Sequence, residues 1–163
     1  MAQDTVDQAL QTAGLPSMPT QRQEAKVIGA HGYSQSLAPL LADKFSLSEE
    51  VAQHLAHSYG DRSIAVAELA ASNPQLAQKL HPDYPYLGAE VIYSMRSEYA
   101  TNPVDVLSRR TRLSFIDEEA TAQVLPKVVG LMAAEAGWNA LQTTQELKSA
   151  EEFYARNGKA ALG

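Results

Sequence analysis

"SLSEEVAQHLAHSYGDRS", Ser46 to Ser63, is the stretch that decides the fold class. Val51, Ala52, Leu55, Ala56 and Tyr59 fall on one face of a 3.6-residue repeat, the signature of an amphipathic α-helix. Ser46 and Glu49 have capping-box spacing at its start, and Gly60 is placed to end it. Asp61 then stands where it would cap a following helix carrying Ile64, Ala67 and Ala71.

The same periodicity extends outward in both directions, and almost no stretch alternates apolar with polar residues as a half-buried strand would. Downstream, Asn73 and Pro74 suit the first positions of a short helix with Leu76 and Leu80 on its inner face. "HPDYPY", His81 to Tyr86, interrupts the pattern, because a residue preceding proline is pushed out of the helical region. A helix over Leu87 to Ala100 with Val91, Ile92, Met95 and Tyr99 inward follows, and Asn102-Pro103 opens another that runs to about Arg110 or Arg112. Asp117 caps a helix through Val124, Val128 and Met132, where Pro126 predicts a kink or a restart. Gly137 suits its end, with Trp138 packing back, and Asn139 caps a last helix closed by Gly158. Upstream, Lys26 to Ser34 reads as a loop rather than a short strand. Ala2 to Ala13 is a separate amphipathic helix with Val6, Ala9, Leu10 and Ala13 on one face.

The expected fold is therefore all-α: a compact bundle of about six to eight short helices, with a separate N-terminal helix and a linker. Residues 1–14 form that helix, 15–30 the Pro-containing linker, 31–158 the bundle, and 159–163 a frayed tail. A chain of 163 residues buries a core without staples. The absence of cysteine removes disulfides, thiolate metal sites and thiol nucleophiles. No apolar run reaches the roughly 18 residues of a membrane span, and the fragment is expected to be soluble. A formal net charge of −6 argues against general nucleic-acid binding, which requires a positive stripe.

Few residues suggest chemistry. His54 and His57 are i, i+3 neighbours, but no glutamate stands between them as in H-E-x-x-H, so exposed helix histidines are the simpler account. "GAHG", Gly29 to Gly32, has the glycines of a phosphate cradle without the lysine or the strand-turn-helix context. The acidic pairs Glu118-Glu119 and Glu151-Glu152 suit helix-dipole compensation or solvation.

"SRRTRL", Ser108 to Leu113, is the exception, with three arginines in four residues of an acidic chain. Asp105 precedes Arg109 by four residues in the favourable order, and all three cations lie near a helix C-terminus. Glu90 and Glu98 on the preceding helix come within reach if the two helices pair. The leading account is a structural arginine–carboxylate network of Glu90, Glu98, Asp105, Arg109, Arg110 and Arg112; ligand or partner contact is the other. A free-standing module binding protein or nucleic acid through Arg109, Arg110 and Arg112 is the alternative function, disfavoured by the acids around them.

"YLGAEVIYSMRSEYATNPVDVLSRRTRLSFID" followed by "LPKVVGLMAAEAGW" resembles the C-terminal region of the FAD-dependent glycerol-3-phosphate dehydrogenases and glycerophosphate oxidases. Ala89-Glu90-Val91, Glu98-Tyr99-Ala100, Asp105 and Arg109 to Leu113 carry the likeness; "HGYS" and "VAQHLAHSYGDRS" resemble the mitochondrial-type members. "MAQDTVDQAL" is similar to the helix that closes the family's FAD and substrate portion. The resemblance implies an accessory helical domain, structural or engaged in subunit contact. Its parent enzyme would oxidise glycerol 3-phosphate to dihydroxyacetone phosphate and pass electrons through FAD to quinone. The flavin and substrate residues lie in the preceding portion, so this stretch is expected to hold no catalytic, cofactor-binding or metal residue of its own. The implied partners are that missing portion and, through the parent, quinone; homo-oligomerisation is left open and no nucleic acid is implied. The implied location of the parent is the mitochondrial inner membrane in a eukaryote or the cytoplasmic membrane otherwise. The calcium loops that follow this region in animal members have no D-x-D-x-D-G counterpart here.

Overall fold

The computed structural model describes residues 2–16 and 27–158. Most of the expected linker, residues 17–26, and the expected tail, 159–163, lie outside the described residues.

Among the described residues the chain is all-α, with eight α-helices and no strand; its one β-type contact is a single bridge between Lys79 and Leu87. The helices are α1 (Ala2–Ala13), α2 (Leu37–Phe45), α3 (Glu49–Tyr59), α4 (Ser63–Ser72), α5 (Gly88–Ser97), α6 (Leu113–Ile116), α7 (Glu118–Ala136) and α8 (Ala140–Gly158). A 3₁₀ turn, Gly60–Arg62, joins α3 to α4, and a π-helical segment, Asp105–Arg110, precedes α6.

Two apolar clusters form the core. One gathers Leu37 and Leu41 of α2, Leu55 of α3 and Val66 of α4 against Ile92 and Tyr93 of α5. The other gathers Val106 and Leu107 of the π segment, Val128 and Met132 of α7, and Val91 of α5. Helix α5 therefore stands between them, and every residue from Gly88 to Ser94 is buried. Each fully buried valine or leucine contributes roughly 1.5 to 3 kcal/mol. Arg96 ties α5 to α7 through a forked pair with Glu135, 2.5 and 2.8 Å. Helix α1 has no buried residue, and its apolar Val6 is 56% exposed.

Several local expectations change. Helix α2 was not expected; Leu37 and Leu41 anchor it, and Pro39 lies in its first turn, where a missing N–H costs nothing. The cap of α3 is Ser48, whose Oγ accepts from the Val51 N–H, and not Ser46, which occupies the left-handed end of α2 at φ 52°. Asp61 does not cap α4; its Oδ2 accepts from the Gly32 N–H at 2.9 Å and so fastens the glycine loop. Residues 73–80 form turns rather than a short helix, because Asn73 Oδ1 accepts from the Gln75 N–H in an Asx turn, while Leu76 and Leu80 are still buried. Helix α7 runs through Pro126 without restarting. The predicted ends hold at Asp117, which accepts from the Ala120 N–H, at left-handed Gly137, and at Asn139, which accepts from the Gln142 N–H.

The loop at Gly29 is fixed by close backbone approach. A Cβ on Gly60 (φ 57°) would lie 2.0 Å from the Gly29 carbonyl oxygen, and one on Gly29 (φ 96°) would lie 2.8 Å from that of Tyr59. Only glycine allows both the left-handed angle and the contact. The Asp61 N–H then donates to the Gly29 carbonyl at 2.9 Å.

Candidate functional site

The arginines converge on a cleft of about 510 Å³ between α3, the start of α5 and the π segment. Local backbone chemistry builds its arginine wall. Asn102 and Asp105 cap the π segment reciprocally: Asp105 N–H donates to Asn102 Oδ1 at 3.0 Å, and Asp105 Oδ2 accepts from the Thr101 and Asn102 N–H groups at 2.9 and 3.3 Å. The segment closes when the Thr111 N–H donates five residues back to the Val106 carbonyl at 2.9 Å. Thr111, buried between Arg110 and Arg112, also donates its hydroxyl to that carbonyl at 3.2 Å. Arg112 then turns left-handed at φ 59° and ends the wall.

Each arginine has a different environment. Arg109 Nη1 pairs with Asp105 Oδ1, one turn earlier. Arg110 donates from Nη2 to the Glu98 carbonyl at 2.5 Å, and its Nε stands 3.4 Å from Glu98 Oε2. Arg112 is exposed and has no carboxylate partner among the described residues. Burial raises the Asp105 carboxyl, but the Thr101 and Asn102 donors and Arg109 outweigh it, leaving Asp105 below the ordinary 3.8.

Glu90 does not join the arginines. It forms the floor of the cleft at 2% exposure, because α5 is surrounded by packed helices. Its Oε1 accepts from the Leu87 N–H at 2.7 Å, closing the first turn of α5. Its Oε2 accepts from Tyr59 Oη at 2.8 Å and lies 2.9 Å from His54 Nε2. Burial, followed by the Glu90 charge, holds the Tyr59 phenol well above 10.0. The His54 ring also meets Tyr86 edge-on at 5.0 Å between centroids. Of the six residues expected to form one network, the structure brings together Arg109 with Asp105 and Arg110 with Glu98; it gives Glu90 to α3 and leaves Arg112 facing the cleft.

His54 and Tyr59 were not expected as partners of Glu90. One signal existed: Tyr59 lies on the apolar face of α3, and a buried phenol requires a polar partner. His57 also lines the cleft. No group of three or more potential ligands able to hold a metal occurs among the described residues. The glycines of "GAHG" do not fit a flavin pyrophosphate, because the space a phosphate would need at Gly29 is taken by the Tyr59 carbonyl and Gly60. No described helix is long and apolar enough to cross a membrane.

Most of the chain has counterparts in known proteins. The chain is 38% identical over 157 residues to "Glycerol-3-phosphate dehydrogenase, mitochondrial" of Rattus norvegicus, covering 94% of this chain and 22% of that one. It is 37% identical over 158 residues to a probable enzyme of the same name in Caenorhabditis elegans, and 40% identical over 127 residues to one in Dictyostelium discoideum. The chain thus spans about a fifth of the length of these relatives. No solved structure matches. Residues 20–143, which hold α2 to α7 and the whole arginine wall, match the C-terminal domain of alpha-glycerophosphate oxidase, and the chain belongs to that family.

Proposed function

We propose that the chain serves as the accessory helical domain of an FAD-dependent glycerol-3-phosphate dehydrogenase. The parent oxidises glycerol 3-phosphate to dihydroxyacetone phosphate and delivers the electrons to quinone at a membrane, the mitochondrial inner membrane in a eukaryote. The observation that carries this reading is the 38% identity across 94% of the chain to a mitochondrial glycerol-3-phosphate dehydrogenase. The domain's own role is structural: it supports the catalytic portion or a subunit contact, with FAD and substrate held by residues outside these 163. Residues 1–14 are the closing helix of the catalytic portion, which accounts for an α1 without a buried residue. Residues 31–158 are the supporting domain, and the arginine–carboxylate pairs brace its wall.

A chimera tests the reading. This chain replaces the matching 157-residue segment of the rat relative, and glycerol-3-phosphate-dependent dye reduction is measured. Retained activity is expected in the chimera, with no flavin absorption band from the purified 163-residue chain. A folded chimera without activity, or a flavin band in the isolated chain, overturns the reading.

A further inference from the structure

The arginine cleft carries features that a brace between helices does not need. A π-helical segment is rare and recurs at functional sites. Two residues beyond its end stands Arg112, a non-glycine residue held at φ 59°, a conformation that costs about 1 kcal/mol or more. Asp105 offsets Arg109 and Glu98 offsets Arg110, so the third guanidinium, Arg112, is the one without a local counter-charge. The Glu90 carboxylate at the floor accepts from the Leu87 N–H and Tyr59 Oη and lies beside His54 Nε2, and it makes no ion pair with Arg112 among the described residues. His57, on the facing wall, has no hydrogen-bond or ion-pair partner among the described residues. The volume of about 510 Å³ suits a small metabolite.

We propose that this cleft binds a phosphomonoester group, held by the Arg112 guanidinium and the donors of Arg109 that Asp105 leaves free, with His57 opposite. A guanidinium presents five N–H donors in a planar fork that matches phosphate oxygens. Glu98 engages Arg110 through both its carbonyl and its carboxylate, so Arg112 dominates the affinity. The proposal rests on the geometry of this chain and holds whether or not the flavoenzyme reading does.

Inorganic phosphate is the probe, titrated into the 15N-labelled 163-residue chain at constant ionic strength. Saturable shifts are expected at the amides of Thr111, Arg112 and His57, with a millimolar Kd. Arg112→Gly removes the guanidinium while relieving the left-handed backbone, so the fold persists, and it should weaken binding about tenfold. Arg112→Lys should weaken it less, and Lys148→Ala, on the exposed face of α8, should leave it unchanged. Non-saturating shifts, or equal responses in all variants, overturn the proposal. Vesicles of phosphatidylcholine with phosphatidic acid separate the two sources of the group. Arg112-dependent flotation without saturable phosphate binding assigns the cleft to a lipid headgroup and overturns a soluble ligand.

Discussion

Glu90 takes its side-chain partners, Tyr59 and His54, from a helix more than thirty residues away. On a sequence, a glutamate four residues into a helix is a surface charge, and pairing it with nearby arginines is reasonable. In the fold, α5 is covered on all sides, so Glu90 must draw its donors from whichever buried groups face it, here the phenol and imidazole of α3. Replacing it with glutamine keeps the shape but turns an acceptor into a donor toward Tyr59 or Leu87. We expect Glu90→Gln to cost about 2 to 3 kcal/mol in urea denaturation. A loss below about 0.5 kcal/mol, the surface level, would show that the carboxylate is not held as described.

The Asp105–Arg109 pair was more legible, because it spans one i, i+4 step, whereas Arg110 and Glu98 stand twelve residues apart and meet through the fold. Arg110 reaches both the carbonyl and the carboxylate of Glu98 with one guanidinium, which an ammonium cannot imitate. Arg110→Lys should lower stability by about 1 kcal/mol, and Arg110→Lys with Glu98→Ala should show less than additive loss. Asp105 sets a pH dependence whose sign follows from its partners. Its carboxyl is held below 3.8 in the fold, so its contribution is complete above the unfolded value and is lost as pH falls through the folded one. The melting temperature should therefore drop as pH falls below about 4. Asp105→Asn, which cannot titrate, should flatten that drop; an unchanged slope would assign acid sensitivity elsewhere.

At the scale of elements, what was legible depended on whether the stabilising partner was near in sequence. Caps at Asp117, Asn102 and Asn139 and the stop at Gly137 rest on neighbours within four residues, and they form where expected. Helix α2 was missed because its nine residues gain most from Leu37 and Leu41 meeting α3 and α4, a tertiary gain no local pattern records. Asp61 looked like a cap but was recruited by Gly32, 29 residues away. The Gly29–Gly60 crossing is the same kind of long-range fact. Its backbones interlock so closely that Gly60→Ala should cost more than about 2 kcal/mol and shift the amide resonances of residues 27–32, whereas a Gly130→Ala control meets no atom within 4 Å. Equal stability of the two variants would mean the loop does not dock on α3 as described.

At the scale of the whole molecule, the question is whether the two apolar clusters unfold as one. Helix α5 supplies Ile92 and Tyr93 to one and Val91 to the other, and Leu131 of α7 packs against both. Neither cluster can lose its share of α5 without exposing the other, which predicts a single cooperative transition. The chain supplies its own probe, because its one tryptophan, Trp138, packs against the second cluster only. Leu55 is fully buried in the first cluster. Leu55→Ala should cost about 2 to 5 kcal/mol through lost contacts and the cavity left behind. If the clusters are coupled, Trp138 fluorescence and far-UV circular dichroism will keep a common, lowered urea midpoint, although the mutation lies in the cluster Trp138 does not touch. If they are separable, dichroism will begin to fall first while Trp138 holds its original midpoint, and α5 will have to be read as a hinge between two units.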